Sequence, residues 1–292
     1  MKNRLSSLVR LAMLSVAISC VGFAHAQFGG GGGRALQQAG PIQTRVVEYT
    51  HGNTLLQGYL AFPEGGQKRP GVLIVHEWTG LGPYVQKRAE LLARMGYVAF
   101  AADIYGKGVR PKNPAEAGAQ AGKYKKDIPL LRGRAQAGLQ VLQQQAIVDA
   151  TKIAAIGYCF GGTTVLELAR SGADVAAVVS FHGGLDTPNA ADAKNIKGKV
   201  LALHGADDPY VPAEQVLEFS QEMKNAGVDW QLIAYGGAVH SFTNPEAGVD
   251  NSKGAAYNER ADKRSWTDMS QFFAEVLGPV TPAHLTLTPN IR

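Results

Sequence analysis

Cys159 stands in the segment Gly157-Tyr158-Cys159-Phe160-Gly161-Gly162, between two stretches of opposite character. An apolar run, Ile153-Ala-Ala-Ile156, leads in, and a helical pattern, Thr164-Val-Leu-Glu-Leu-Ala-Arg170, leads away. Strand, Gly-x-nucleophile-x-Gly and helix in that order form a nucleophile elbow, which holds the reacting residue on a sharp turn. Strand and helix nearly touch there, so the flanking positions can carry almost no side chain, which accounts for the glycines. A thiol in that place lies at a helix N-terminus, whose partial positive charge favours the thiolate. A buried structural cysteine beside a glycine-rich turn would share the spacing, so the choice rests on what else the chain supplies.

The partners of a nucleophile follow downstream in the order nucleophile, acid, histidine. Val200-Leu-Ala-Leu203 leads into His204-Gly-Ala-Asp-Asp-Pro-Tyr-Val-Pro212, and Trp230-Gln-Leu-Ile-Ala-Tyr235 leads into Gly236-Gly-Ala-Val-His-Ser-Phe242. Each candidate lies just past a predicted strand, at the end where open parallel sheets collect their sites. His240 is then the base and an aspartate orients its imidazole, as in a nucleophile–histidine–acid relay. His51, His76, His182, His204 and His284 compete with His240. His76, His182 and His204 close strands, His51 lies in a turn and His284 in the tail, so these read as structural.

Five segments in fixed order carry a family resemblance: His76-Glu77-Trp78, Ala102-Asp-Ile-Tyr105, Gly157-Tyr-Cys-Phe-Gly-Gly162, Asp208-Pro-Tyr-Val-Pro212 and His240-Ser-Phe242. Over roughly residues 45–277 the chain resembles the dienelactone hydrolase (carboxymethylenebutenolidase) family, with Ala256 to Phe273 matching its last helix. The resemblance implies an α/β-hydrolase fold, a mainly parallel central sheet flanked by helices on both faces. It selects Asp208 over Asp207 as the acid and makes Glu77 the family's extra acid, implicated in controlling cysteine ionisation when substrate binds. The oxyanion hole would be the backbone N–H groups of Trp78 and Phe160.

Two positions depart from the family. Dienelactone-cleaving members hold the substrate carboxylate with arginines; this chain has Lys107 at one of those places and Asn244 at the other. A lysine is a point charge and an asparagine a neutral donor, so neither reproduces the bidentate guanidinium fork. Lys107 and Asn244 are therefore the candidate substrate-binding residues, with Arg110 a further cation on the same loop as Lys107. Neutral esters or lactones are expected to be hydrolysed at least as well as carboxylate-bearing dienelactones.

The N-terminus bears on where this chemistry happens. Lys2, Arg4 and Arg10 precede an apolar stretch from Leu11 to Phe23, and Ala24-His-Ala26 is a small-x-small cleavage signal. Residues 1–26 read as a secretory signal peptide, too short in its apolar part for a membrane span, giving a periplasmic or secreted protein cleaved after Ala26. A lipoprotein anchored through Cys20 is the alternative. Cleavage leaves Cys159 as the one cysteine, so no internal disulfide is expected, and an unpaired thiol in an oxidising compartment favours a working role. The whole chain has 29 basic and 24 acidic residues; the first 26 hold three basic and no acidic ones, leaving 26 against 24. So small an excess implies no nucleic-acid partner and no stable membrane association.

Residues 27–44 begin with the run Gly29–Gly33 and form a flexible leader to a domain over 45–278. Arg45–Thr50 alternates like a strand, and His51-Gly-Asn53 turns it into a second at Leu55–Phe62. Apolar runs at Val72–Val75, Val98–Ala102, Ile153–Ile156, Val175–Ser180, Val200–Leu203 and Gln231–Ala234 alternate with helical patterns. Continuous apolar runs mean strands covered on both faces. Between Pro111 and Gln145 two helices are expected, the second starting at Pro129, and residues 279–292 form an extended tail. Neither a metal nor a cofactor is implied: His76-Glu77 lacks the second histidine of a zinc motif. The function that follows is hydrolysis of a small-molecule ester or lactone by a monomer, through a thioester on Cys159. A thioesterase, an acyl transferase or a catalytically inactive binding protein on the same scaffold are the alternatives.

Overall fold

The computed structural model describes residues 41–283. Its first element is the expected hairpin: β1 (Ile42–His51) and β2 (Thr54–Pro63) pair antiparallel, with His51 opposite Thr54. The chain reverses at Gly52, whose φ of 56° lies where glycine carries no steric penalty. Residues 42–44, assigned above to the leader, extend β1 because β2 runs far enough to pair with them, Ile42 opposite Pro63. The signal segment, residues 27–40 of the leader and residues 284–292 lie outside the described residues.

The remaining strands are β3 (Arg69–Val75), β4 (Val98–Ala102), β5 (Val148–Tyr158), β6 (Ala177–Phe181), β7 (Lys199–Gly205) and β8 (Trp230–Tyr235). They form one eight-stranded sheet in the order β1-β2-β4-β3-β5-β6-β7-β8. The pairs β1–β2 and β2–β4 are antiparallel, and every pair from β4 to β8 is parallel. This is the mainly parallel α/β sheet that the continuous apolar runs predict.

Successive side chains on a strand point to opposite faces, and here both faces are covered. Val72 and Ile74 share one core with Leu92 of α1 (Pro83–Met95) and with Met269 and Phe273 of α6 (Glu259–Leu277). Leu73 and Val75 share the other with Leu139 of α3 (Ile128–Gln143), Val165 of α4 (Phe160–Arg170) and Phe219 of α5 (Ala213–Ala226). Before α3 comes α2 (Pro114–Lys126), and Pro129 sits in the first turn of α3 as expected. β5 is longer than its apolar run: its register against β3 shifts between Pro70 and Gly71, which face Asp149 and Ile153. That irregularity absorbs residues 150–152, of which Thr151 and Lys152 are polar, so the strand's first half carries no continuous apolar run.

A fully buried guanidinium joins two of the helices. Arg170 of α4 forks onto Glu222 of α5 at 2.8 and 2.7 Å, and also binds Glu167 at 2.9 Å and the Leu185 carbonyl at 3.1 Å. α4 begins at the Cys159 elbow and α5 follows the Asp208 loop, so the joint links the two arms that carry the candidate site. The described start of the tail runs over the surface but is anchored. Arg69 donates to the Thr281 carbonyl at 2.9 Å and the Ala283 N–H to the Arg94 carbonyl at 3.2 Å. Among the described residues no helix is long and apolar enough to cross a membrane.

Candidate active site

The elbow is built from the contacts the glycines permit. A Cβ on Gly157 would meet the Gly161 carbonyl, and one on Gly161 would meet the Val75 carbonyl of the neighbouring strand. Cys159 takes the strained position, φ 55° and ψ −117°, at the N-cap of α4. A non-glycine residue there costs on the order of 1–3 kcal/mol and persists only where the surroundings enforce it. Its N–H is shared between the Phe181 carbonyl at 3.0 Å and Nδ1 of His182 at 3.1 Å.

Cys159, His240 and Asp208 meet although up to 81 residues separate them. His240 Nε2 lies 3.0 Å from Cys159 Sγ, and His240 Nδ1 lies 2.8 Å from Asp208 Oδ2. Asp208 is buried, and its other oxygen accepts the Tyr210 N–H at 2.8 Å. Asp207 is exposed and takes no part. His240 is set by a short bridge to Ala255: its N–H donates to the Gly254 carbonyl and its carbonyl accepts the Ala256 N–H. Burial opposes protonation of this imidazole, but the adjacent sulfur and the Asp208 carboxylate outweigh it and push His240 up to about 10.

The competing histidines are accounted for by their surroundings. His76 is fully buried, with Nδ1 2.6 Å from the Glu77 carbonyl and Nε2 accepting the Ile104 N–H. Burial holds it down at about 4, and so neutral. His182 is equally buried and lowered well below the ordinary value by that burial, then by His240. Its Nε2 lies 2.7 Å from Thr243 Oγ1, so it braces the elbow against the His240 loop. That supporting role had one trace in the sequence, the position of His182 at the end of the strand beside the elbow. Burial also lowers His204.

Glu77 and Asn244 sit together on the wall of a cavity of ≈ 590 Å³ that opens over Cys159. Asn244 Nδ2 donates to Glu77 Oε2 at 2.7 Å. Burial raises the Glu77 carboxyl to about 7, against the pull of that hydrogen bond and of His240 and Arg88. Lys107 is not on this wall. Its Nζ pairs with Glu48 of β1 at 2.6 Å on the surface, so the expectation that it lines the substrate pocket is corrected. Glu48, on the β1–β2 hairpin, supplies the carboxylate that draws it away. Arg110 turns back onto its own loop, donating to the Val109 carbonyl at 2.7 Å.

The raised Glu77 carboxyl has a consequence for stability. Between pH 4.5 and 7 the folded chain keeps this proton while the unfolded chain has released it, so stability falls as pH rises through that window. A shift of that size corresponds to about 3 kcal/mol. Glu77→Gln keeps an acceptor for Asn244 and removes the charge. Urea unfolding at pH 5 and pH 8 should show the variant more stable at pH 8 by up to that amount, and little changed near pH 4.5. Equal stability of the two proteins at pH 8 would contradict the raised carboxyl.

Trp78, on the loop after β3, and Phe160, the first residue of α4, line the cleft with the sulfur. Tyr105 donates to the Trp78 carbonyl at 3.0 Å, which fixes that peptide. Neither the Trp78 nor the Phe160 N–H has a protein acceptor among the described residues. The rest of the cavity wall is largely apolar, with Pro83, Tyr84, Val85, Ala247 and Ala255.

Comparison with known proteins agrees with this architecture. The structure resembles that of a dienelactone hydrolase-like promiscuous phosphotriesterase from metagenomic libraries. The two are 43% identical with a TM-score of 0.78, covering 82% of this chain and all of that one. It also resembles m3DLH, 42% identical with a TM-score of 0.79 over the same shares of the two chains. A carboxymethylenebutenolidase homolog of Mus musculus is 28% identical over 177 residues, 59% of this chain and 70% of its own length. The dienelactone hydrolase family matches residues 56–277, which span every element from β2 to α6. The chain belongs to the dienelactone hydrolase family and is a hydrolase.

Proposed function

We propose that the protein hydrolyses carboxylic esters or lactones through an acyl-enzyme on Cys159, with His240 as base and Asp208 orienting it. The observation that carries this reading is the continuous relay from Asp208 through His240 to the sulfur, at 2.8 and 3.0 Å, on the wall of a largely apolar cavity. The sulfur gives its proton to His240 Nε2 and attacks the carbonyl carbon, and the C=O electron pair moves to oxygen. The N–H groups of Trp78 and Phe160 are free to hold that oxyanion. Collapse expels the alkoxide, which takes the Nε2 proton and leaves a thioester. Water then gives a proton to Nε2 and attacks, and the thiolate departs with release of the acid. Glu77 lies beside the relay and supplies an acidic group whose charge state changes near neutral pH.

Esters and lactones are preferred to amides because a thiolate is a better leaving group than an amine, so an amide adduct would expel sulfur. The 43% identity to a promiscuous phosphotriesterase favours phosphotriesters as a second substrate class, attacked at phosphorus by the same sulfur. A thioesterase or acyl transferase would use the same acyl-enzyme and differ in the acceptor. We also place the reaction outside the cytoplasm, on the strength of residues 1–26.

Intact-mass spectrometry of protein quenched during turnover of an activated ester tests these points. The expected spectrum shows one added acyl group, lost in Cys159→Ala, and protein exported on its own leader begins at Gln27. Turnover with no adduct under any quench would argue against the thioester. Ester rather than acid as product in the presence of an alcohol would mark a transferase.

A further inference from the structure

The cleft over Cys159 has a second lobe, of ≈ 250 Å³, on the side facing α2. The two lobes share Trp78, Cys159, Tyr210 and His240, so they meet at the sulfur. Their charges differ. The large lobe has two carboxyl groups on its wall, Glu77 and Glu246, and no lysine or arginine. The small lobe has Lys125 and Asp186, and Lys125 is the one lysine or arginine lining either lobe among the described residues. It forms no ion pair within 4 Å there.

Gly184 gives the small lobe its depth. The backbone at Gly184 does not require glycine, since its φ lies outside the left-handed range. What glycine provides is space. The point where a Cβ would stand is 2.8 Å from Asp186 Oδ1, 3.1 Å from Thr163 Oγ1 and 3.6 Å from Lys125 Nζ. An ammonium, a hydroxyl and a carboxylate therefore crowd one point on the wall of this lobe, and the hydroxyl donates to the Gly184 carbonyl at 3.1 Å. Gln215 also lines the lobe; its Oε1 accepts the Leu185 N–H at 2.9 Å, which leaves the amide N–H groups for a ligand.

We infer that the small lobe receives the carboxylate of an anionic ester or lactone, and that Lys125 is the residue that selects for it. The large lobe takes the apolar part of the same substrate. A carboxylate placed in the large lobe would face Glu77 and Glu246, whereas in the small lobe it exchanges water for an ammonium and polar donors. Asp186 opposes this binding and sets its strength. The inference rests on the proposed reaction at Cys159, which puts the substrate's ester group at the meeting point of the lobes.

Binding to the Cys159→Ala protein separates the two ideas, because the ester stays intact. Calorimetry would compare an aryl hemisuccinate, with its carboxylate on the acyl side, and an acetoxybenzoate, with its carboxylate on the leaving group. The methyl ester of each serves as its neutral counterpart. Adding Lys125→Gln should weaken one anionic ligand by about threefold to tenfold, the scale of an exposed charge pair, and leave its neutral counterpart unchanged. Asp186→Asn should strengthen the same ligand, added salt should shrink both effects, and Lys126→Gln on the same helix should change nothing. The pair that responds tells whether the lobe holds the acyl or the alcohol side. The inference is overturned if neither anionic ligand binds, if Lys125→Gln leaves both as tight, or if it weakens neutral ligands equally. Failure of the parent protein to hydrolyse any of the four esters, anionic or neutral, would instead overturn the reaction at Cys159, whatever the binding data show.

Discussion

Cys159→Ala is expected to lose ester hydrolysis by a factor on the order of a millionfold in kcat, the scale seen when a covalent nucleophile is removed. The fold should survive, because the strain at φ 55° is borne by the backbone and alanine is no larger than the cysteine it replaces. Far-ultraviolet circular dichroism and the unfolding midpoint should match the parent. Cys159→Ser should retain weak turnover, since His240 Nε2 can serve a hydroxyl as it serves the thiol at 3.0 Å. Rates near the parent's in the alanine variant would remove the covalent mechanism from consideration.

Asp208→Asn should cost roughly a thousandfold to ten-thousandfold in kcat, the size of effect that follows loss of the group setting a catalytic histidine's tautomer. The asparagine would offer either an amide donor or a weaker acceptor to Nδ1, at a buried position. His240 would also lose one of the influences that raise it, so the pH profile should move toward acid. Asp207→Asn, one residue away on the exposed side of the same turn, is the control and should change kcat little. Reversed sensitivities would assign the acid to Asp207.

The strands buried on both faces were legible because each shows as a short unbroken apolar run, and the expected bounds at Val98–Ala102 match β4 residue for residue. β5 was half hidden, since a register shift lets polar residues stand inside the ladder. Cys159, His240 and Asp208 could be placed in order because each follows the C-terminal end of a strand. What the sequence could not show is how side chains far apart in the chain compete for one another. Asn244 is spoken for by Glu77, 167 positions earlier, and Lys107 by Glu48 on the hairpin. Lys125 carries no motif at all and gains interest only where α2 lies against the cleft.

The buried fork of Arg170 bears on how the sequence can change. Arg170, Glu167 and Glu222 are each at most 3% exposed along their side chains. Losing the guanidinium alone would strand Glu222 in a medium that cannot hydrate it and leave Glu167 to Arg132, 2.7 Å away, at a cost of several kcal/mol. Exchanging Arg170 and Glu222 together for apolar residues of similar volume can be neutral, with Glu167 still paired to Arg132. Position 170 is therefore free to vary only in step with position 222. Every one-residue path away from the present pair passes through a weakened intermediate, in which the helix behind the sulfur and the helix behind the acid are no longer tied together.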